Sequence, residues 1–183
     1  MNKIEEVKKE IVERAENHEL YKNIIKTNGK IVINKGSENP EFLFIGEAPG
    51  FTENTQGLPF VGKSGKILDK WIGTGIKSYG VINTIPIIPL SEDGKIRPPT
   101  KDEINYFRPL INKLIKKMAP KYIICVGKSA SNFLEEEFKL CEWKGNVGFI
   151  YHPSYYLRNG RDGLEDFKKL IDKMKNQKLL GEF

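Results

Sequence analysis

Cysteine is almost absent from this 183-residue chain, with only Cys125 and Cys141 present. Two thiols exclude a disulfide-rich scaffold and cannot build a four-cysteine metal site. Long apolar runs are missing too. None approaches the ~20 residues needed to span a bilayer, so no membrane partner is expected. The first residues, MNKIEEVKKEIVERAEN, are charged and lack the apolar stretch of a signal peptide, which points to a cytoplasmic protein. Arginine is scarce: Arg14, Arg97, Arg108, Arg158 and Arg161 are the full set. The positive charge is therefore mostly lysine, better suited to phosphate contact than to bidentate reading of base edges. No internal repeat, low-complexity tract or long linker interrupts the chain. It reads as a single domain over residues 1–183 and is expected to be a monomer.

What is present is a surplus of lysine plus arginine over aspartate plus glutamate, 30 to 24, for a net charge of +6. That balance is compatible with a polyanionic partner, or simply with a lysine-rich surface that keeps the protein in solution. Apolar residues make up 39% of the chain, enough for a chain of this length to support its own core.

The apolar pattern alternates between two periods. Ile4, Val7, Ile11 and Ala15 recur at helical spacing. Phe42-Leu43-Phe44-Ile45 reads as a buried strand stopped by Gly46, and the Gly-, Pro-, Asn- and Thr-rich segment that follows to Gly62 reads as loop. Ile67, Leu68, Trp71 and Ile72 predict a short helix ending near Gly73 and Gly75. A second strand fits Tyr79 to Thr84. Thr100 and Glu103, three apart, form a capping-box signal for a helix carrying Ile104, Phe107, Ile111, Leu114, Ile115 and Met118, which Pro109 is expected to kink or interrupt. Tyr122 to Val126 predicts a third strand ended by Gly127. Ala130, Phe133 and Leu134 mark a helix, Val147 to Tyr151 a fourth strand, and Leu164, Phe167, Leu170, Ile171 and Met174 a closing helix. Strands alternating with helices predict an α/β fold, a three-layer α/β/α sandwich around a four-stranded parallel sheet, with function at the carboxyl ends of the strands.

Gly57-Leu-Pro-Phe-Val-Gly62-Lys63-Ser64 matches the phosphate-loop pattern G-x-x-x-x-G-K-[ST] letter for letter. Its context argues against a nucleotide hydrolase. A phosphate loop follows its strand directly, whereas this segment begins well beyond Ile45. Pro59 and Phe60 are also awkward in a loop that must wrap its amides around phosphates, and no predicted strand ends in an aspartate to hold magnesium.

Four loops after predicted strands carry residues unusual for plain turns. They are Gly46-Glu47-Ala48-Pro49-Gly50 with Glu53 beyond it, the Gly57–Gly65 segment with Phe60, Asn83, and His152-Pro153-Ser154 followed by Tyr155-Tyr156-Leu157-Arg158. Each alone could be structural: a turn-capping glutamate, a core phenylalanine, a turn asparagine, a hydrogen-bonded histidine. Together, a carboxylate, an aromatic ring, a carboxamide and an imidazole would converge on one crevice.

In order and spacing, GEAPG, GLPFVGKSGKILD, VINTI, RPPTKDEI and HPSYYLRN resemble the uracil-DNA glycosylase superfamily, closest to its family 4, from about His18 to Leu170. The resemblance implies a monofunctional DNA glycosylase of base excision repair. Such an enzyme acts on DNA containing a damaged base, flips the base out and hydrolyses its N-glycosidic bond. It also accounts for the phosphate-loop match. By the same resemblance, Phe60 is the ring on which the base stacks and Asn83 the carboxamide that reads the uracil edge. His152 becomes the donor to uracil O2 as negative charge gathers there. In relatives with an aspartate two residues after the first glycine, that aspartate positions the water; this chain has Ala48 there, so the carboxylate role falls to Glu47 or Glu53, Glu47 first with Glu53 in support. Lys63, Ser64, Ser154, Tyr156, Leu157 and Arg158 are the implied DNA contacts. Tyr156 stands where the family usually has a leucine wedge, with Leu157 beside it. Gly50 replaces a tyrosine that in some relatives excludes the thymine methyl group.

One departure is large. The family holds an iron–sulfur cluster on four cysteines, and the corresponding positions here are His18, Tyr21, Ile87 and Phe107. Ile and Phe cannot ligate iron, so no metal or other cofactor is expected, and apolar packing by Ile87 and Phe107 is expected to replace the cluster. The departure leaves two variants open: a glycosylase for another deaminated base such as hypoxanthine, or a DNA-binding homologue without catalysis.

Overall fold

Four apolar segments, each stopped by a glycine or a polar residue, form the central strands. The computed structural model describes residues 3–180, and in it these segments are β2 (Phe42–Gly46), β3 (Tyr79–Asn83), β4 (Tyr122–Val126) and β6 (Val147–Ile150). They lie parallel in the order β3-β2-β4-β6. Two further strands complete a six-stranded sheet, where four strands were expected. β1 (Asn34–Gly36) pairs antiparallel with β3 on one edge, and β5 (Trp143–Lys144) pairs antiparallel with β6 on the other. Three and two residues long, and largely polar, these edge strands are too short to show a two-residue alternation.

Eight helices are described: α1 (Lys3–Glu16), α2 (Tyr21–Thr27), α3 (Phe51–Gln56), α4 (Lys63–Ile72), α5 (Lys101–Met118), α6 (Lys128–Phe133), α7 (Pro153–Arg158) and α8 (Leu164–Leu180). Alternate strand residues feed two cores. Leu43, Ile45, Ile82, Cys125 and Phe149 pack with α1, α2, α5 and α6, while Phe42, Phe44, Val81, Ile124 and Ile150 pack with α4, α7 and α8. Both faces of the sheet are thus covered, which is why the strands read as near-continuous apolar runs. The result is the expected three-layer α/β/α class.

The capping box of α5 forms as its spacing predicts: Glu103 N–H donates to Thr100 Oγ1 at 3.2 Å, and Thr100 N–H donates to Glu103 Oε2 at 2.7 Å. Pro109 does not interrupt the helix. Asn105, whose carbonyl loses its partner to the proline, is exposed, and so is Pro109, so water can satisfy that carbonyl. Among the described residues, no helix is long and apolar enough to cross a membrane.

Because β2, β3, β4 and β6 run parallel, all four carboxyl ends open on one side. The chain leaves β2 toward β3 on one flank and later reaches β4 on the other, so the strand order reverses at β2. A crevice at such a reversal is where open α/β sheets bind ligands.

Candidate active site

A cleft of about 340 Å³ sits at that crevice, with Glu47, Gly50, Glu53, Phe60, Lys63, Ser64, His152 and Ser154 in its walls, and Ile96 and Arg97 closing one side. Glu47, Asn83 and His152 are placed by strand ends, and Phe60 by the loop between α3 and α4. Glu47 is the first residue past β2. Its carbonyl accepts from Thr84 N–H at 3.1 Å and from Thr84 Oγ1 at 2.6 Å, and its carboxylate Oε2 accepts a short hydrogen bond from Ser129 Oγ.

Phe60 is buried and held at a left-handed backbone conformation, φ 52°, which costs a non-glycine residue roughly 1–3 kcal/mol. Three contacts hold it there. Lys35 Nζ donates to its carbonyl at 2.9 Å, and Val61 and Gly62 N–H donate to Glu53 Oε1 at 3.0 and 2.8 Å. Gly65 also packs so tightly under the loop that a Cβ there would lie 2.0 Å from the Phe60 oxygen. This geometry disposes of the phosphate-loop reading. Two of the amides that would cradle a phosphate, those of Val61 and Gly62, are already occupied by the protein's own carboxylate. Glu53, predicted as a supporting catalytic carboxylate, spends one oxygen on this loop, while Oε2 faces Gly50, 2.9 Å from where a Cβ would stand.

Asn83 ends β3 and does not line the open cleft. It lies beside the Phe60 ring, where both approach Gly46; a Cβ on Gly46 would fall 2.3 Å from the ring and 2.7 Å from Asn83 Oδ1. Only glycine permits that approach. Asn83 is buried, and its Oδ1 has no hydrogen-bond partner among the described residues. Such an orphaned buried acceptor is costly unless something else binds it.

His152 follows β6 and caps α7. Its Nδ1 accepts from Ser154 N–H at 3.2 Å, with Ser154 Oγ 2.8 Å away. An amide can only donate, so Nδ1 is the acceptor and the ring proton sits on Nε2. Burial, helped by the Arg158 charge and opposed by Glu53, lowers its pKa to about 4. The imidazole is therefore neutral near pH 7, with an Nε2–H donor. Its ring stands 5.6 Å from that of Phe60.

Lys63, Ser64 and Ser154 line the cleft, and Arg158 Nη1 lies 3.4 Å from Ser154 Oγ. Tyr156 departs from expectation. It is wholly buried, packs edge-on against Trp71 and donates to Asp166 Oδ2 at 3.1 Å, so it cannot serve as a wedge. Its neighbour Leu157 is 45% exposed and is the aliphatic side chain that α7 offers at the surface, beside the exposed ring of Tyr155.

Two residues escaped the sequence reading, one in the cleft wall and one behind it. Arg97 pairs bidentately with Glu103, Nη1 to Oε2 at 2.9 Å and Nη2 to Oε1 at 2.5 Å. Burial would raise the Glu103 carboxyl, but hydrogen bonds from Arg97 and the Thr100 amide outweigh it and hold the group below its ordinary value. RPPT was visible as a motif, yet nothing local marks its arginine as a cleft residue. Ser129 is the second, and only the fold brings it to Glu47.

The uracil DNA glycosylase superfamily model matches residues 33–175. The chain belongs to the uracil DNA glycosylase superfamily. It is 30% identical to a type-4 uracil-DNA glycosylase of Archaeoglobus fulgidus over 168 residues, which is 79% of this chain and 82% of that one. Identity is again 30% over 194 residues to the type-4 enzyme of Sulfurisphaera tokodaii, with 93% and 84% of the two chains covered. For that of Saccharolobus solfataricus it is 31% over 167 residues, with 78% and 76% covered.

Within the superfamily, the four positions tied to an iron–sulfur cluster do not fit one here. Ile87 and Phe107 are fully buried among apolar side chains. The His18 ring packs on Tyr106 and Phe107, at 4.5 and 5.3 Å between centroids, and its Nδ1 accepts from Leu20 N–H at 3.1 Å. Among the described residues, no group of three or more His, Cys, Asp or Glu could hold a metal ion.

Proposed function

We propose that the protein is a monofunctional uracil-DNA glycosylase, a single-domain cytoplasmic monomer that works without a cofactor. The observation that carries this reading is Asn83: a buried carboxamide beside an aromatic ring, its Oδ1 without a partner. Uracil supplies what that atom lacks. Its N3–H donates to Oδ1 while its O4 accepts from the Asn83 amide, whereas cytosine presents the reverse pattern and leaves both groups mispaired. The flipped base stacks on Phe60, and DNA phosphates lie along Lys63, Ser64, Ser154 and Arg158. Leu157 fills the space left in the stack.

The C1′–N1 bond then breaks, with its electron pair staying on the base. His152 Nε2–H donates to uracil O2, where that charge collects, so its bond strengthens as the transition state forms. Glu47 faces the cationic sugar and orients a water whose oxygen bonds to C1′. The proton lost by the water passes through the carboxylate to solvent, and the released uracil anion takes one up from solvent. Glu53 contributes by holding the Phe60 loop. One continuous sheet shared by both cores supports the single-domain reading.

The test is to incubate the protein with oligonucleotides carrying uracil, hypoxanthine or xanthine and to cleave abasic sites with alkali. Strand breaks at uracil are expected. Breaks at hypoxanthine alone would move the assignment to another deaminated base, and DNA binding with no break at any base would make this a non-catalytic homologue.

A further inference from the structure

Of the four parallel strands, β4 is the one whose following loop has been given no catalytic or base-binding role. Gly127 ends that strand at φ 95°, and a Cβ there would meet the His152 Cβ at 3.0 Å, so the turn passes close behind the cleft. Two residues on, in the first turn of α6, Ser129 donates to Glu47 Oε2. It is the only side chain bonded to that carboxylate among the described residues. Nor does the hydroxyl serve the helix. The N-cap is Gly127 with no side-chain cap, and Ser131, not Ser129, bonds back to the backbone, at Lys128 O. Ser129 does not line the cleft itself.

We propose that Ser129 is a positioning residue for the reaction, fixing the Glu47 carboxylate by its Oε2 so that Oε1 alone is presented to the attacking water. The proposal rests on the role given to Glu47 above. Glutamate has three rotatable side-chain bonds, and an unrestrained carboxylate beside a cleft samples many orientations. Here Thr84 pins the backbone of Glu47 from β3 and Ser129 pins its far end from α6. A hydroxyl bonded to an ionised carboxylate is a charge-assisted contact, strong enough to select one rotamer before substrate arrives. Since the direction of water attack is set by the free oxygen, losing this contact lowers the rate of the chemical step and leaves DNA binding unaltered.

The experiment compares Ser129→Ala, Ser129→Thr, Glu47→Gln and the Ser129→Ala/Glu47→Gln double variant. It reads single-turnover uracil excision alongside affinity for an oligonucleotide carrying a non-cleavable 2′-fluoro-deoxyuridine. Ser129→Ala should slow excision by about 10- to 150-fold, the range expected when one hydrogen bond to a charged group is lost. Its affinity should match the wild type, Ser129→Thr should restore most of the rate, and Ser129→Ala should add nothing to Glu47→Gln. The proposal is overturned if Ser129→Ala excises at the wild-type rate while Glu47→Gln is slow. Multiplying effects in the double variant, or affinity falling in step with rate, would overturn it as well. If Glu47→Gln itself excises normally, the role of Glu47 fails first and this proposal with it, a result distinguishable from the others.

Discussion

At the scale of single residues, the cleft is built from groups whose hydrogen bonds are deliberately half used. Asn83 keeps an unpartnered Oδ1, Glu47 a free Oε1, and His152 a free Nε2–H. Replacing Asn83 by Asp turns the face toward uracil O4 from donor to ionised acceptor. A mispaired buried contact of this kind costs ~1–3 kcal/mol, more where a charge is buried, so uracil excision should fall at least tenfold in a single-turnover assay. Affinity for undamaged duplex should barely change, because it rests on lysine–phosphate contacts. Loss of duplex affinity in parallel with rate would remove Asn83 from base recognition. The His152 imidazole gives a separate, pH-resolved prediction. Its pKa is about 4 in the fold against an ordinary value near 6.5, so the unfolded chain binds the extra proton between those limits. The stability contributed is complete above pH 6.5 and is lost as pH falls toward 4: up to about 3 kcal/mol in all, of which about 2 is gone by pH 5. Urea unfolding at pH 7 and pH 5 should show this loss, and His152→Gln should lack that part of the slope. A His152 ring proton that titrates by NMR near pH 6.5 would refute the assignment.

At the scale of elements, legibility in the sequence tracked apolar content. Phe42–Ile45 and Tyr122–Val126 announce buried strands because every residue is apolar and a glycine stops each run. β1, spelled Asn-Lys-Gly, and α3, spelled Phe-Thr-Glu-Asn-Thr-Gln, carry no such signal, and tertiary contacts decide them. Site residues divide the same way. Glu47, Asn83 and His152 stood out because each sits at or just beyond a strand end, and Phe60 because it lies in a glycine- and proline-marked loop. The Ser129–Glu47 bond joins residues 82 positions apart, and no local spacing encodes it. Tyr156 shows the opposite error: position in the motif suggested a wedge, while burial against Trp71 and Asp166 makes it part of the core. Tyr156→Phe should therefore lower stability by about 1–3 kcal/mol, the cost of leaving a buried acceptor unpaired, with excision unchanged in a thermal-melt and activity comparison. Leu157→Ala should do the reverse, slowing excision from duplex DNA far more than from single strands, where no stack needs filling. Equal losses on both substrates would remove Leu157 from the wedge role.

At the scale of the whole molecule, the question is how α1 stays docked without the cluster that the resemblance assigns to relatives. The structure offers three contacts in its place. Arg14 and Tyr106 bond reciprocally, Arg14 Nη1 to the Tyr106 carbonyl and Tyr106 Oη to the Arg14 carbonyl, both at 3.2 Å, and the guanidinium lies 4.9 Å over the tyrosine ring. Glu10 pairs with Lys113 at 2.6 Å, both half-exposed, and adds little. Beneath them Val7, Ile11 and Ala15 pack into the same core as Phe107, Ile111 and Leu114, and His18 closes the end against Tyr106 and Phe107. Apolar burial of three such side chains is worth several kcal/mol at about 25 cal/mol per Å², more than any one polar contact here supplies. The anchoring is thus distributed, and two outcomes are expected together. Purified protein should be colourless, without absorbance at about 400 nm or stoichiometric iron, and its melting temperature should be indifferent to chelators. Arg14→Ala should cost about 1–2 kcal/mol, a drop of about 2–8 °C in the melting temperature for a chain of this size, because it removes the guanidinium bond and its contact with the tyrosine ring, while the backbone carbonyl of residue 14 still accepts from Tyr106 Oη and the apolar face stays docked. Ile11→Asp should do far worse, since it buries a charge at a fully covered position. A brown, iron-bearing preparation that melts lower after chelation would mean that a metal, not this packing, holds the helix in place.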